Sequence, residues 1–207
     1  MSVLTGFTAG LLLITLSELG DKTFFIGAIL AMRYPRRWVF LGVAIALAAM
    51  TVLSVGLGQV ANLLPQYLID AIAVALFLGF GGKLLYDASR MPASGCLPEE
   101  QAEAQAAVSN CAALGQSGIV GRTIVLEALA LTFVAEWGDR TQFATMMLST
   151  TNHPLGVIVG ATLGHMICAA IAVLAGRLIA GRLSERLLTA LGGGLFILFG
   201  LVTLVRG

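Results

Sequence analysis

The chain alternates long apolar runs with short polar breaks; it does not alternate apolar and polar positions one by one. Six runs predict helices at about residues 5–31, 36–60, 67–86, 123–149, 154–178 and 186–205. Each reaches the roughly 20 residues that cross a hydrocarbon layer about 30 Å thick. Runs this long and continuous read as helices, not strands. The one long polar stretch, residues 87–122, separates the third run from the fourth. Within it, Pro98, Glu99 and Glu100 followed by an Ala-rich run to Leu114 and Gly115 predict one short helix. Proline and acids suit a first turn, and glycine suits an end. Glu99, Glu100 and Glu103 read first as a solvated helix start and second as an attractor of cations.

Composition agrees with a membrane solvent. Of 207 residues, 58% are hydrophobic and 11% charged, and the mean hydropathy is +0.94. A soluble domain carries about 25% charged residues. A net charge of +1 points to no partner, and the lack of a basic tract with interleaved aromatics argues against nucleic acid. No cleavable signal peptide is expected, because the first apolar run holds charged residues.

Those charges form a repeat. Glu18-Leu19-Gly20-Asp21-Lys22-Thr23 recurs as Glu136-Trp137-Gly138-Asp139-Arg140-Thr141, each near the middle of its run. Gly42 and Gly160 keep the same offset of 118 residues, and Leu76-Phe77 matches Leu195-Phe196 after a one-residue shift. Three spans per half is an odd number, so the second half enters the membrane from the opposite side. The predicted fold class is an all-α integral membrane protein: one domain, six transmembrane helices, two inverted-topology repeats (about 1–86 and 123–207). Outside the motifs, nine basic residues (Arg33, Arg36, Arg37, Lys83, Arg90, Arg122, Arg177, Arg182, Arg186) fall on one side and only Arg206 on the other. This places 87–122 in the cytoplasm and both termini outside it.

On a continuous helix, Asp21 lies about 60° from Glu18 and Lys22 about 40° on the other side. Glu18, Asp21, Lys22 and Phe25 then share a face, as do Glu136, Asp139, Arg140 and Phe143. Gly20 and Gly138 point away and admit a neighbouring helix, while Thr23 and Thr141 supply oxygen if the helix unwinds at the glycine. Six isolated charges at this depth would cost on the order of 15–20 kcal/mol, taking about 2.5–3.5 kcal/mol each. Four carboxylates against Lys22 and Arg140 leave two negative charges, a match for one divalent cation or two protons. Carboxylates bind metal only when deprotonated, so ion and proton compete for one site. Oxygen donors suit Ca²⁺, Mn²⁺ or Mg²⁺. The plainer alternative makes Glu18–Lys22 and Glu136–Arg140 structural i,i+4 pairs; its weakness is the second copy.

The paired E-x-G-D-[K/R]-[T/S] motifs, each in the first helix of a three-helix half, resemble the calcium–manganese/proton exchanger family. The wording ELGDKTFF and EWGDRTQFAT is most similar to its photosynthetic-membrane manganese branch. The resemblance implies export of Mn²⁺ or Ca²⁺ from the cytoplasm in exchange for protons, across a plasma (inner) or thylakoid-type membrane. It maps the acidic ion site onto Glu18, Asp21, Glu136 and Asp139. It implies no enzyme activity and no cofactor besides the transported ion.

Other residues carry two readings each. Gln142 follows the second motif as a possible amide donor to the ion path. Glu127 reads as an interfacial acid or a staging point. His165 and Cys168, three apart, read first as helix packing, because Leu47 and Met50 hold the matching positions, and second as a softer accessory site favouring Mn²⁺. Gln59, Asn62 and Asp70 fall at helix ends. Gly156, Gly160 and Gly164, echoed by Gly42 and Ala46, read as intrachain packing or a homodimer interface. Cys96 and Cys111 fall in the connection and are expected reduced. Two other function classes remain: an exporter of another small cationic substrate, such as a basic amino acid, and a non-transporting assembly factor.

Overall fold

The structure, a computed structural model, describes residues 2–91, 98–112, 121–179 and 185–206. Cys96 and Arg182, the helix end expected at Gly115, and the side chains of Glu99, Glu100, Cys111 and Arg177 lie outside the described residues.

The first run is not one helix. Helix α1 (Val3–Glu18) stops at the motif and α2 (Lys22–Arg33) restarts after it, with a bend of 65° between them. Glycine causes the break: Gly20 has φ +86°, a conformation that L side chains disfavour and that ends helices. Asp21 then caps α2, its carboxylate accepting from the Lys22 N–H at 2.8 Å. Helices α3 (Arg36–Ala61) and α4 (Gln66–Arg90) follow, each preceded by a proline, Pro35 and Pro65, whose fixed φ suits a helix start. The connection holds α5 (Pro98–Ala112). The second motif repeats the first: α6 (Gly121–Glu136) ends, Gly138 takes φ +80°, and Asp139 caps α7 (Arg140–Thr151). Helices α8 (Pro154–Ile179) and α9 (Glu185–Arg206) complete the described chain. The continuous-helix face expected at each motif is therefore corrected. Both glycines turn the backbone, and at Gly138 no neighbour lies within 4 Å of where a Cβ would stand.

Among the described residues, α3, α4, α8 and α9 are long and apolar enough to cross a membrane, and the bent α1–α2 pair is so when its two helices are taken together, as one broken span or as a re-entrant loop. The α6–α7 pair, expected as a sixth, has the same break but is more polar, with Thr141, Thr145, Ser149, Thr150 and Thr151 in α7.

Small residues decide the packing. Helix α8 lies backbone to backbone on α1: a Cβ on Gly156 would strike the Val3 carbonyl, and one on Gly160 the Phe7 carbonyl. Gly6 and Gly10 answer from α1. Helix α3 does the same to the second half, Gly42 against Val125 and Ala128 of α6, and Gly58 against Met146 and Ser149 of α7. The glycine stripe is thus an intrachain contact, gaining dispersion where lipid offers no hydrophobic drive. Large apolar side chains such as Leu41, Ile45, Val52 and Leu57 point outward. Buried hydroxyls return to their own helix, Thr51 to the Leu47 carbonyl and Ser54 to that of Met50, which satisfies them without water. The third helices of the halves, α4 and α9, pack on each other. There the repeat-equivalent Phe77 and Phe196 meet edge to face, centroids 6.0 Å apart.

The halves interlock. The second long helix of each half, α3 or α8, lies on the broken helix of the other. The core divides into two apolar clusters. One contains Phe24, Phe25, Ile29, Val39 and Ile124, with Ala104 and Val108 of α5. The other contains Leu13, Val55, Phe77, Leu148 and Phe196.

Candidate functional site

Both breaks place their carboxylates at one level. Glu18 ends α1 and Glu136 ends α6, and both are buried. Each accepts a hydrogen bond from the threonine five residues on, Thr23 Oγ1 to Glu18 Oε2 at 3.0 Å and Thr141 Oγ1 to Glu136 Oε2 at 3.3 Å. Thr23 also shares a cavity wall with Glu136 of the other motif. Thr141 Oγ1 lies 3.1 Å from Asp139 Oδ2 as well. Glu18, Asp21 and Asp139 each offer an oxygen, all three within 4.8 Å of one another. A cavity of about 140 Å³ is lined by Asp21, Lys22, Thr23, Glu103, Ala135, Glu136, Asp139 and Arg140. The breaks also bring helix ends to the site, where peptide groups are left without intrahelical partners. Hard oxygens from both halves around a small polar cavity suit a divalent cation.

The fixed cations do not pair as i,i+4 spacing suggests. Arg140 crosses to the other motif, Nη2 at 3.2 Å from Asp21 Oδ2. Lys22 turns to the connection, Nζ at 2.9 Å from Glu103 Oε2 of α5. Gln142 turns inward on its own break, its amide oxygen accepting from the Gly138 N–H at 2.7 Å.

Two residues weighed first as bystanders reach this site. Glu103, read as a solvated acid, joins the cavity wall because Ala104 and Val108 anchor α5 in the core. The alanine-rich face of α5 was the available signal. His165 is buried, with Nδ1 3.9 Å from Glu18 Oε1. Cys168 does not join it; its thiol donates to the Thr15 carbonyl at 3.4 Å. Glu127 is half-buried beside the Tyr34 hydroxyl. Asp70 lines a separate cavity of about 450 Å³ with Thr5, Thr8 and Asn152. Gln59 ties α3 to the Ser149 carbonyl of α7 at 2.9 Å.

Fold and site together define a multi-pass membrane protein with a carboxylate centre built from two repeated motifs. A family model described as "Divalent cation/proton antiporter GDT1" matches residues 6–92 and 124–207, one segment for each half. The chain belongs to this family: it is a membrane divalent cation/proton antiporter and not an enzyme. It is 57% identical over 201 residues to "GDT1-like protein sll0615" of Synechocystis sp. (strain ATCC 27184 / PCC 6803 / Kazusa), covering 97% of both chains. It is 42% identical to "GDT1-like protein 3" of Oryza sativa subsp. indica, over 92% of this chain and 70% of that one. It is 41% identical to "Protein PAM71, chloroplastic" of Arabidopsis thaliana, over 98% of this chain and 57% of that one. No solved structure matches the chain. Family membership sets aside the amino-acid exporter and the assembly factor.

Proposed function

We propose that the protein exports Mn²⁺, Ca²⁺ or both from the cytoplasm in exchange for protons, with Glu18, Asp21, Glu136 and Asp139 as the shared ion and proton site. The observation that carries this reading is the trio Glu18, Asp21 and Asp139, drawn from both motifs to within 4.8 Å. Such oxygens hold a divalent ion when deprotonated and release it when protonated. The remaining members have supporting roles. Thr23 and Thr141 orient the glutamates, Arg140 neutralises Asp21 when no ion is bound, and Lys22 is held aside by Glu103.

The molecule is read as six spans in two inverted repeats, α1–α2 and α6–α7 each being one broken span. This is the transporter arrangement in which interrupted helices frame a midplane site. Basic residues on the α5 side support a cytoplasmic position for that side, in a plasma (inner) or thylakoid-type membrane. Rocking of the sequence halves, the simplest form of alternating access, fits the packing poorly, since it would pull apart the Gly160–Phe7 and Gly42–Val125 contacts. Alternating access about the carboxylates remains the proposed mechanism, with α3 and α8, which also pack on each other, each tying the two halves together.

The test is flux in proteoliposomes across a pH gradient with Mn²⁺, Ca²⁺ and Mg²⁺ in turn. Wild type is expected to couple Mn²⁺ or Ca²⁺ movement to opposite proton movement. Glu18→Gln and Asp139→Asn are expected to abolish it while remaining folded. Normal coupled flux from either variant refutes the assignment of the site.

A further inference from the structure

Among the buried polar atoms without a hydrogen-bond partner, two from different helices face each other. Glu18 Oε1 and His165 Nδ1 each lack a hydrogen-bond partner, and they face each other at 3.9 Å across the α1–α8 contact. Both side chains are at most 5% exposed. A buried polar atom left without a partner costs about 1–3 kcal/mol, so a facing pair of them needs a reason.

The distance narrows the reasons. It is too long for a hydrogen bond, which needs about 2.7–3.2 Å. It is short for a bridging water, which at about 2.8 Å from each partner holds them nearer 4.5 Å apart. Two donors on one metal ion, each at about 2.1 Å, lie roughly 3–4.2 Å apart. The spacing of 3.9 Å falls in that range, and since the trio within 4.8 Å of one another is Glu18, Asp21 and Asp139 without His165, the imidazole would meet the ion from the Glu18 side.

Packing fixes this geometry. Gly164 sits against Leu11 and Thr15 of α1, and His165 is the next residue. The other carboxylate oxygen of Glu18 is taken by Thr23, which leaves Oε1 for the imidazole side. In the first half the matching position is Leu47, buried in the apolar cluster. The nitrogen is therefore supplied by one half only.

We propose that His165 is a nitrogen ligand of the transported ion, binding through Nδ1 beside Glu18 and setting a preference for Mn²⁺ over Ca²⁺. This rests on the antiport reading for its cargo. Imidazole binds first-row transition ions, whereas Ca²⁺ selects oxygen. Replacing the nitrogen weakens Mn²⁺ and leaves Ca²⁺ nearly unchanged.

The test uses the purified full-length protein loaded with Mn²⁺ alone and read by pulsed electron paramagnetic resonance. Wild type is expected to show nitrogen hyperfine coupling to bound Mn²⁺, and His165→Gln and His165→Leu to lose it. In proteoliposomes both variants are expected to lose roughly tenfold or more in Mn²⁺ to Ca²⁺ preference, through the KM for Mn²⁺. Bound Mn²⁺ without nitrogen coupling in wild type, or an unchanged preference in both variants, overturns the proposal. Wild-type flux without nitrogen coupling removes His165 and spares the antiport reading. Nitrogen coupling without wild-type flux of Mn²⁺ or Ca²⁺ removes the proposed cargo and supports His165 as a ligand.

Discussion

Arg140 of the second motif reaches Asp21 of the first at 3.2 Å, and the pair joins the two halves of the chain at the level of the acids. The side chains are 29% and 10% exposed, so solvent screens the contact only in part. The second motif thus supplies the cation that neutralises an acid of the first, whereas Lys22 of the first turns to Glu103.

Replacing Arg140 with glutamine leaves four carboxylates against Lys22. The metal-free variant is expected to melt below wild type, because removing one partner of a largely buried pair strands the other charge. Saturating Mn²⁺ is expected to raise its melting temperature more than it raises that of wild type, since the ion supplies the missing positive charge. Thermal melts with and without Mn²⁺ decide this, and equal ion-induced shifts refute it.

Gly138 isolates the conformational requirement of the break. Its φ is +80°, and a Cβ there would meet no heavy atom within 4 Å. Gly138→Ala therefore introduces backbone strain without a clash, at about 1–2 kcal/mol. Gly138→Asn is expected to lose less, because asparagine tolerates positive φ better than alanine. Chemical denaturation of the three proteins in detergent checks the order. Alanine equal to glycine shows that the positive φ is not required.

The ion site also predicts a pH dependence with a definite sign. Metal binds the deprotonated carboxylates, so Mn²⁺ affinity rises as pH rises and each binding event releases protons. Calorimetry in buffers of different ionisation enthalpy measures that release directly. Affinity that stays flat between acid and neutral pH contradicts a shared site.

The four spans formed by α3, α4, α8 and α9 were legible in the sequence because a run such as residues 36–60 is apolar over bilayer length. The acids were legible because charge inside such a run is rare. The break entered only as a condition on the role of Thr23 and Thr141, because a helical wheel treats Gly20 as one more helical position. The local signal was present: glycine followed by aspartate is an end signal followed by a cap. The cross-chain pairs were not legible. Spacing assigned Lys22 to Glu18, but Lys22 meets Glu103 and Glu18 faces His165. Those partners depend on which helices become neighbours, and the glycine contacts of α3 and α8 decide that.

Those contacts give a paired prediction. A Cβ on Gly160 would meet the Phe7 backbone of α1, whereas one on Gly56 would meet nothing within 4 Å. Gly160→Ala must push α1 and α8 apart, moving Glu18 relative to His165, and is expected to lower both stability and flux. Gly56→Ala is expected to be neutral or stabilising by up to about 1 kcal/mol, from helix propensity alone. Melting temperature and flux measured together separate the two, and equal behaviour contradicts the backbone contact.

Glu103 tests whether the connection takes part in transport. Its ion pair with Lys22 is 2.9 Å long, but the side chains are 55% and 34% exposed. An exposed pair contributes about 0–1 kcal/mol, whereas Ala104 and Val108 beside it are fully buried. Helix α5 is therefore held by apolar contact, and Glu103→Gln is expected to leave stability nearly unchanged. The same substitution removes a negative charge from the wall of the ion cavity. Its expected effect is a higher KM for the ion at low ionic strength, with maximal rate preserved and the difference vanishing at high salt. Flux from the α5 side measured against salt checks this. A difference that persists at high salt would mean that Glu103 touches the ion directly instead of attracting it from the mouth of the site.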